Sequence, residues 1–147
     1  MFKLTKIHDH LFISNYWNTQ DIQPVLKENG IVAIVNLMHD ENYTPPKGIM
    51  YLWKGIADHK YIPLETIEEI LTFIANNMKK GAVLVHCASG KSRSGGIIVA
   101  RLLVENPNWN WEVAINFVRK KRFIIPAMSI RDSILDYFEQ KEGNRRE

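Results

Sequence analysis

Cysteine is almost missing from this chain: its 147 residues contain one, Cys87. No internal disulfide can form, which points to a reducing compartment, and a sulfenic acid at Cys87 would have no resolving partner in the chain. Long hydrophobic runs are missing too. No apolar stretch approaches the ~20 residues of a membrane span. The opening Met1-Phe2-Lys3-Leu4-Thr5-Lys6 has no apolar signal core, so a soluble, cytoplasmic chain is the expectation. Repeats, low-complexity tracts and inter-domain linkers are absent, and the length suits one domain over residues 1–147. An excess of charge of one sign is nearly absent, with 19 Lys and Arg against 16 Asp and Glu. The net charge of +3 suits anionic substrates and is too slight to argue for nucleic acid. The run His8-Asp9-His10 invites a metal reading but reads as a solvated hairpin tip and is assigned no chemistry.

What is present is an alternation of strand and helix signals. Residues 2 to 14 read as short strands, and Asn18 or Thr19 as the cap of a helix over 20 to 29 that stops at Gly30. Ile31 to Met38 is β-branched and nearly continuous in apolarity, as in a strand covered on both faces. The polar, Pro-rich stretch His39 to Gly48 reads as a surface loop walling a cleft, followed by a strand at 49 to 56. Ile67, Ile70, Leu71, Ile74 and Met78 share one face of a helix over about 64 to 80, stopped by Gly81. After the strand Ala82 to Val85 comes a helix apolar nearly all round, from about Arg93 to Val104. Asn110 caps a helix running to about Arg122, and a last helix spans about 129 to 142, with a fraying tail from Gly143 to Glu147. This order implies an α/β fold, a mostly parallel sheet with helices on both faces.

Between the strand and the buried helix lies His86-Cys87-Ala88-Ser89-Gly90-Lys91-Ser92-Arg93-Ser94. A short loop entering a helix brings successive backbone N–H groups to one point, at the positive end of the helix. A thiol at its base is expected to ionise readily, helped by the helix end, the N–H nest and His86. Arg93 adds a planar fork for two oxygens of a phosphate or sulfate. A buried Cys87 that merely packed a core strand would leave Gly90, Arg93 and Ser94 unexplained.

These residues resemble the signature of the cysteine-dependent protein tyrosine phosphatase superfamily: His-Cys, five residues with Gly third, then Arg-Ser. His86, Cys87, Gly90, Arg93 and Ser94 fill every fixed position, and Gly-Lys-Ser-Arg-Ser-Gly looks most like the compact dual-specificity branch. The resemblance implies a hydrolase acting on phosphotyrosine, with phosphoserine and phosphothreonine left open, through a phosphocysteine intermediate. It implies Cys87 as nucleophile, the loop 88 to 93 and Arg93 as phosphate ligands, Ser94 as hydrogen-bond donor to the sulfur, and His86 as a structural support. It also implies an Asp on a separate loop about thirty residues before the cysteine. Asp58, 29 residues before Cys87, is the choice, with Asp40, Glu41 and His59 as alternatives. The Trp-Pro that often precedes this Asp is replaced by Ile56-Ala57. A polar residue that positions water is expected after the Arg-Pro region, where this chain offers Ser129. Thiolate, Arg and Asp supply the whole reaction, so no cofactor or metal is implied.

Phosphorylated proteins are the expected partners, with no membrane, no nucleic acid and a monomeric state. Lys91 keeps an inositol phosphate substrate open, although Ala88 stands where inositol-lipid relatives carry a further basic residue. RNA 5′-triphosphate hydrolysis and a non-catalytic phosphate-binding module remain alternatives.

Overall fold

The computed structural model describes residues 1–18 and 20–146. The β-branched runs form five strands of one sheet: β1 (Leu4–His8), β2 (Leu11–Ser14), β3 (Ile31–Asn36), β4 (Met50–Trp53) and β5 (Ala82–His86). Their order is β1-β2-β5-β3-β4. Only β1 and β2 are antiparallel; the other neighbours run parallel. The middle strand β5 is buried at every position, which is why its sequence does not alternate. Its register sets Ser14 of β2 and Asn36 of β3 beside His86, so three strand ends arrive together where the Cys87 loop begins.

Side-chain alternation sorts the sheet residues onto two faces. Phe12, Ile34 and Leu84 pack with Trp17, Ile22 and Leu26, the last from the short helix α1 (Gln23–Glu28). Ile13, Val35, Val83 and Val85 face the larger core under α2 (Leu64–Met78), α3 (Arg93–Glu105), α4 (Trp111–Arg119) and α5 (Met128–Arg146). The α2 stripe Ile67, Ile70, Leu71 and Ile74 is buried there, each side chain contributing on the order of 2 kcal/mol. Helix α3 is buried from Arg93 through Ala100, as its all-round apolarity requires. Asn110 caps α4, its side chain accepting from the Val113 N–H at 2.9 Å.

Several boundaries differ from the sequence reading. Helix α1 begins at Gln23 because Ile22 is its N-cap residue and Asp21 Oδ1 accepts the Gln23 N–H; Asn18 is not the cap, and Thr19 lies outside the described residues. The strand expected over 49 to 56 ends at Trp53, and at Gly55 the chain passes so close to His39 that a Cβ would meet its carbonyl oxygen at 2.7 Å. Helix α2 ends at Met78, ahead of Gly81. That glycine instead allows close packing, since a Cβ there would lie 2.7 Å from Val32 Cγ1. Helix α4 stops at Arg119, and α5 continues to Arg146, past the expected fraying point; Glu147 lies outside the described residues. Among the described residues no helix is long and apolar enough to cross a membrane.

Candidate active site

Cys87 follows directly on β5 and is 1% exposed, so its sulfur is held at the floor of the loop. The four carbonyls that follow are all turned outward and satisfied. The Ala88 oxygen accepts the Tyr16 N–H at 3.0 Å, and the Lys91 oxygen accepts the Ile125 N–H at 3.0 Å. Between them, Arg122 donates from Nε to the Gly90 oxygen at 2.9 Å and from Nη2 to the Ser89 oxygen at 3.4 Å. In a planar trans peptide the N–H points opposite to the preceding C=O. The N–H groups of Ser89, Gly90, Lys91 and Ser92 are therefore turned the other way, and none donates to a protein group among the described residues. Four free donors on one loop at the start of α3 make an anion cradle.

Glycine is required at position 90 on two counts. Its φ is +71°, and a Cβ there would lie 2.5 Å from Arg122 Nη2 and 2.7 Å from the Ser14 carbonyl oxygen. Arg122 itself was not among the residues singled out from the sequence. It is buried, and its Nη1 also donates to the Lys3 carbonyl and to Thr5 Oγ1, tying the cradle to β1. A signal was available: Trp111, Ala114, Ile115 and Val118 are the buried stripe of α4, and Arg122 falls one turn further on the same face. Within the run Arg119-Lys120-Lys121-Arg122, that phase separates the inward arginine from its exposed neighbours.

The structure brings Cys87, Arg93, Ser94 and Asp58 together. Ser94 Oγ lies 3.2 Å from Cys87 Sγ. Arg93 is buried, and its Nη1 donates to the Ile56 carbonyl at 2.8 Å while its Nε has no hydrogen-bond partner. The nearest carboxylate to that nitrogen, Asp58 Oδ1, is 3.9 Å away, beyond hydrogen-bond distance, and Asp58 is about half exposed. The alternative acids are engaged elsewhere: Glu41 accepts from the Tyr51 hydroxyl, and Asp40 pairs with His39. His59 adjoins Asp58, with its side chain largely in solvent and its carbonyl accepting from Ser129 Oγ at 2.6 Å. The Ser129 hydroxyl thus fastens the 57–63 loop rather than standing free for a water. Ser92 Oγ likewise accepts the Ala127 N–H at 3.0 Å, whereas Ser89 and the Lys91 side chain are exposed.

His86 is enclosed beside Cys87. Burial pushes its imidazole down to about 4, so the ring is neutral at pH 7 and brings no positive charge to Cys87. Its Nε2 lies 2.7 Å from the Tyr43 hydroxyl and its Nδ1 3.3 Å from the Cys87 carbonyl. The Cys87 carbonyl can only accept, so in the neutral ring the proton sits on Nδ1, and Nε2 accepts from the Tyr43 hydroxyl. The 39–48 loop, expected as a cleft wall, sends Tyr43 behind His86 into an aromatic group with Tyr16 and Trp17.

Comparison with known proteins was made on sequence and on structure. The chain is 28% identical to the protein phosphatase Slingshot of Drosophila melanogaster, over 97% of this chain and 14% of that one. It is 34% identical to the tyrosine-protein phosphatase yvh1 of Schizosaccharomyces pombe, over 92% of this chain and 42% of that one. It thus spans less than half the length of either relative. The crystal structure of human tyrosine phosphatase-like serine/threonine/tyrosine-interacting protein superposes with a TM-score of 0.82, covering 95% of this chain and 97% of that one. At 24% identity, that likeness shows the fold. Residues 11–140 match the family model described as dual specificity phosphatase, catalytic domain, and with the signature loop at the end of β5 in place, the chain belongs to that family.

Proposed function

We propose that residues 1–147 form one catalytic domain that hydrolyses phosphotyrosine in proteins by way of a cysteinyl phosphate. The observation that carries this reading is the arrangement around Cys87: a buried sulfur 3.2 Å from Ser94 Oγ, beneath four unengaged N–H donors and beside a buried arginine with a spare Nε–H. Family membership and the named protein phosphatases among its relatives support it.

In the first step the Cys87 thiolate attacks phosphorus. The S–P bond forms as the ester P–O bond breaks, and Asp58 in its acid form gives its proton to the departing oxygen. The cradle N–H groups and Arg93 hold the three equatorial oxygens, where charge is greatest in the transition state. In the second step water attacks phosphorus, Asp58 takes its proton, and the S–P bond breaks to release phosphate. The Ser94 hydroxyl donates to the leaving sulfur. His86, neutral and pinned by Tyr43, fixes the Cys87 backbone and touches no substrate.

Hydrolysis of a generic aryl phosphate between mild acid and neutral pH tests this. Wild type turns it over and Cys87→Ser does not. A wild type that binds inorganic phosphate without turnover would make the chain a binding module instead.

A further inference from the structure

Ile125 and Met128 are 54% and 70% exposed, although each adjoins the core. Their neighbours explain this. Ile124 and Ile130 are fully buried and occupy the space left by Gly95 and Gly96 on α3, so the intervening residues are turned outward. The backbone between them is fastened to the catalytic loops on both sides. Ile125 N–H donates to the Lys91 carbonyl and Ala127 N–H to Ser92 Oγ, while Ser129 Oγ donates to the His59 carbonyl beside Asp58. The exposed Tyr61 completes this side, its hydroxyl bonded to Asp136. Exposed apolar side chains therefore sit on a segment bonded to both loops that flank the Cys87 cradle, one through the outward carbonyl of Lys91 and the other through the carbonyl of His59. Lys91, at the crest of the cradle, pairs with no carboxylate among the described residues.

Resting on the hydrolase reading above, we infer that Ile125 and Met128 are specificity determinants that take an apolar side chain flanking the phosphorylated residue of a peptide. An apolar rim held at fixed distance from a phosphate pocket matches a chain in which a phosphorylated side chain enters the cradle and its neighbour lies along the surface. Contact with such a neighbour removes from water area that is otherwise exposed in both partners. An inositol phosphate headgroup, hydroxylated all round, gains nothing from two aliphatic side chains.

The test is kcat/KM on phosphotyrosine peptides carrying Leu, Phe, Ser or Lys on either side of the phosphorylated residue. Each rate is divided by the same enzyme's rate on an aryl phosphate too small to reach the rim. Wild type should favour Leu or Phe over Ser by roughly fivefold or more. The double variant Ile125→Ser/Met128→Ser, its folding checked by circular dichroism, should lose that preference. Two results would overturn the inference: a wild type that turns over aryl phosphate yet ignores the flank, or a double variant that keeps the preference. Absence of turnover on every substrate would bring down the hydrolase reading and the rim with it.

Discussion

Arg122 Nε donates to the carbonyl of Gly90 at 2.9 Å, joining residues 32 apart in sequence and turning a peptide of the catalytic loop outward. The same guanidinium holds the Ser89 carbonyl and two oxygens of the N-terminal segment, at Lys3 and Thr5. A single side chain thus sets the direction of two of the cradle's donors, the N–H groups of Gly90 and Lys91.

Replacing Arg122 by Met should therefore weaken anion binding before it abolishes the fold. The inhibition constant for inorganic phosphate is expected to rise roughly tenfold, the worth of one misaligned charge-assisted hydrogen bond. Arg122→Lys should fall between, because one ammonium cannot reach Ser89, Gly90 and Thr5 at once. Phosphate inhibition measured alongside urea unfolding separates loss of the cradle from loss of stability. An unchanged inhibition constant in the Met variant would remove Arg122 from the site.

Two glycines of positive φ should behave differently on conversion to alanine. At Gly30, φ is +67° and a Cβ meets nothing within 4 Å, so Gly30→Ala should cost about 1 kcal/mol of left-handed strain and leave the rate alone. At Gly90 the added carbon runs into Arg122 and the Ser14 carbonyl. Gly90→Ala should lower kcat/KM at least ~10²-fold through misplaced donors. Steady-state kinetics with thermal melts of both variants checks the contrast.

His86 makes the fold sensitive to acid. Its folded value near 4 lies below its ordinary 6.5, so the unfolded chain binds more protons between those limits. Stability from this group is complete above about 6.5 and is lost as pH falls toward 4. Between pH 7 and 4.5 the loss should be on the order of 2–3 kcal/mol. Urea midpoints at the two pH values measure it, and His86→Gln should show a smaller difference between them. Tyr43→Phe leaves His86 Nε2 without its donor, at a cost of roughly 1–3 kcal/mol.

Asp58→Asn should reduce the rate on an alkyl phosphate, a poor leaving group, by roughly 10²–10⁴ and barely alter that on a nitrophenyl phosphate. The comparison of two leaving groups is the measurement. Equal rates on the poor leaving group in both proteins would pass the acid role to His59, the titratable neighbour on the same loop.

Much of this molecule follows from local sequence. Hydrophobic runs and periodicity alone locate the strand pair at the N-terminus, the buried β5, the amphipathic α2 and the all-round apolar α3, because each is a burial pattern that one segment displays by itself. Resemblance to the phosphatase signature likewise singles out Cys87, Gly90, Arg93 and Ser94, which lie in one loop and the first turn of the helix after it. Boundaries such as the end of β4 at Trp53 depend on contacts with distant backbone, here His39, and no local pattern shows them.

Two features of the site show what tertiary structure decided. Arg122 reaches the cradle only because α4 ends beside it, far along the chain, and its charge looks like that of its exposed neighbours until the helix phase is applied. His86 reads from sequence as a support for Cys87, but that its ring is neutral follows only from enclosure by Tyr16, Trp17 and Tyr43, because a desolvation cost cannot be seen in the residue itself. Sequence by itself determined the cysteine, its loop and the helix that follows. Which carbonyls turn away and which acid lies near Arg93 were settled by packing between elements, because those are relations among segments that meet only in the folded chain.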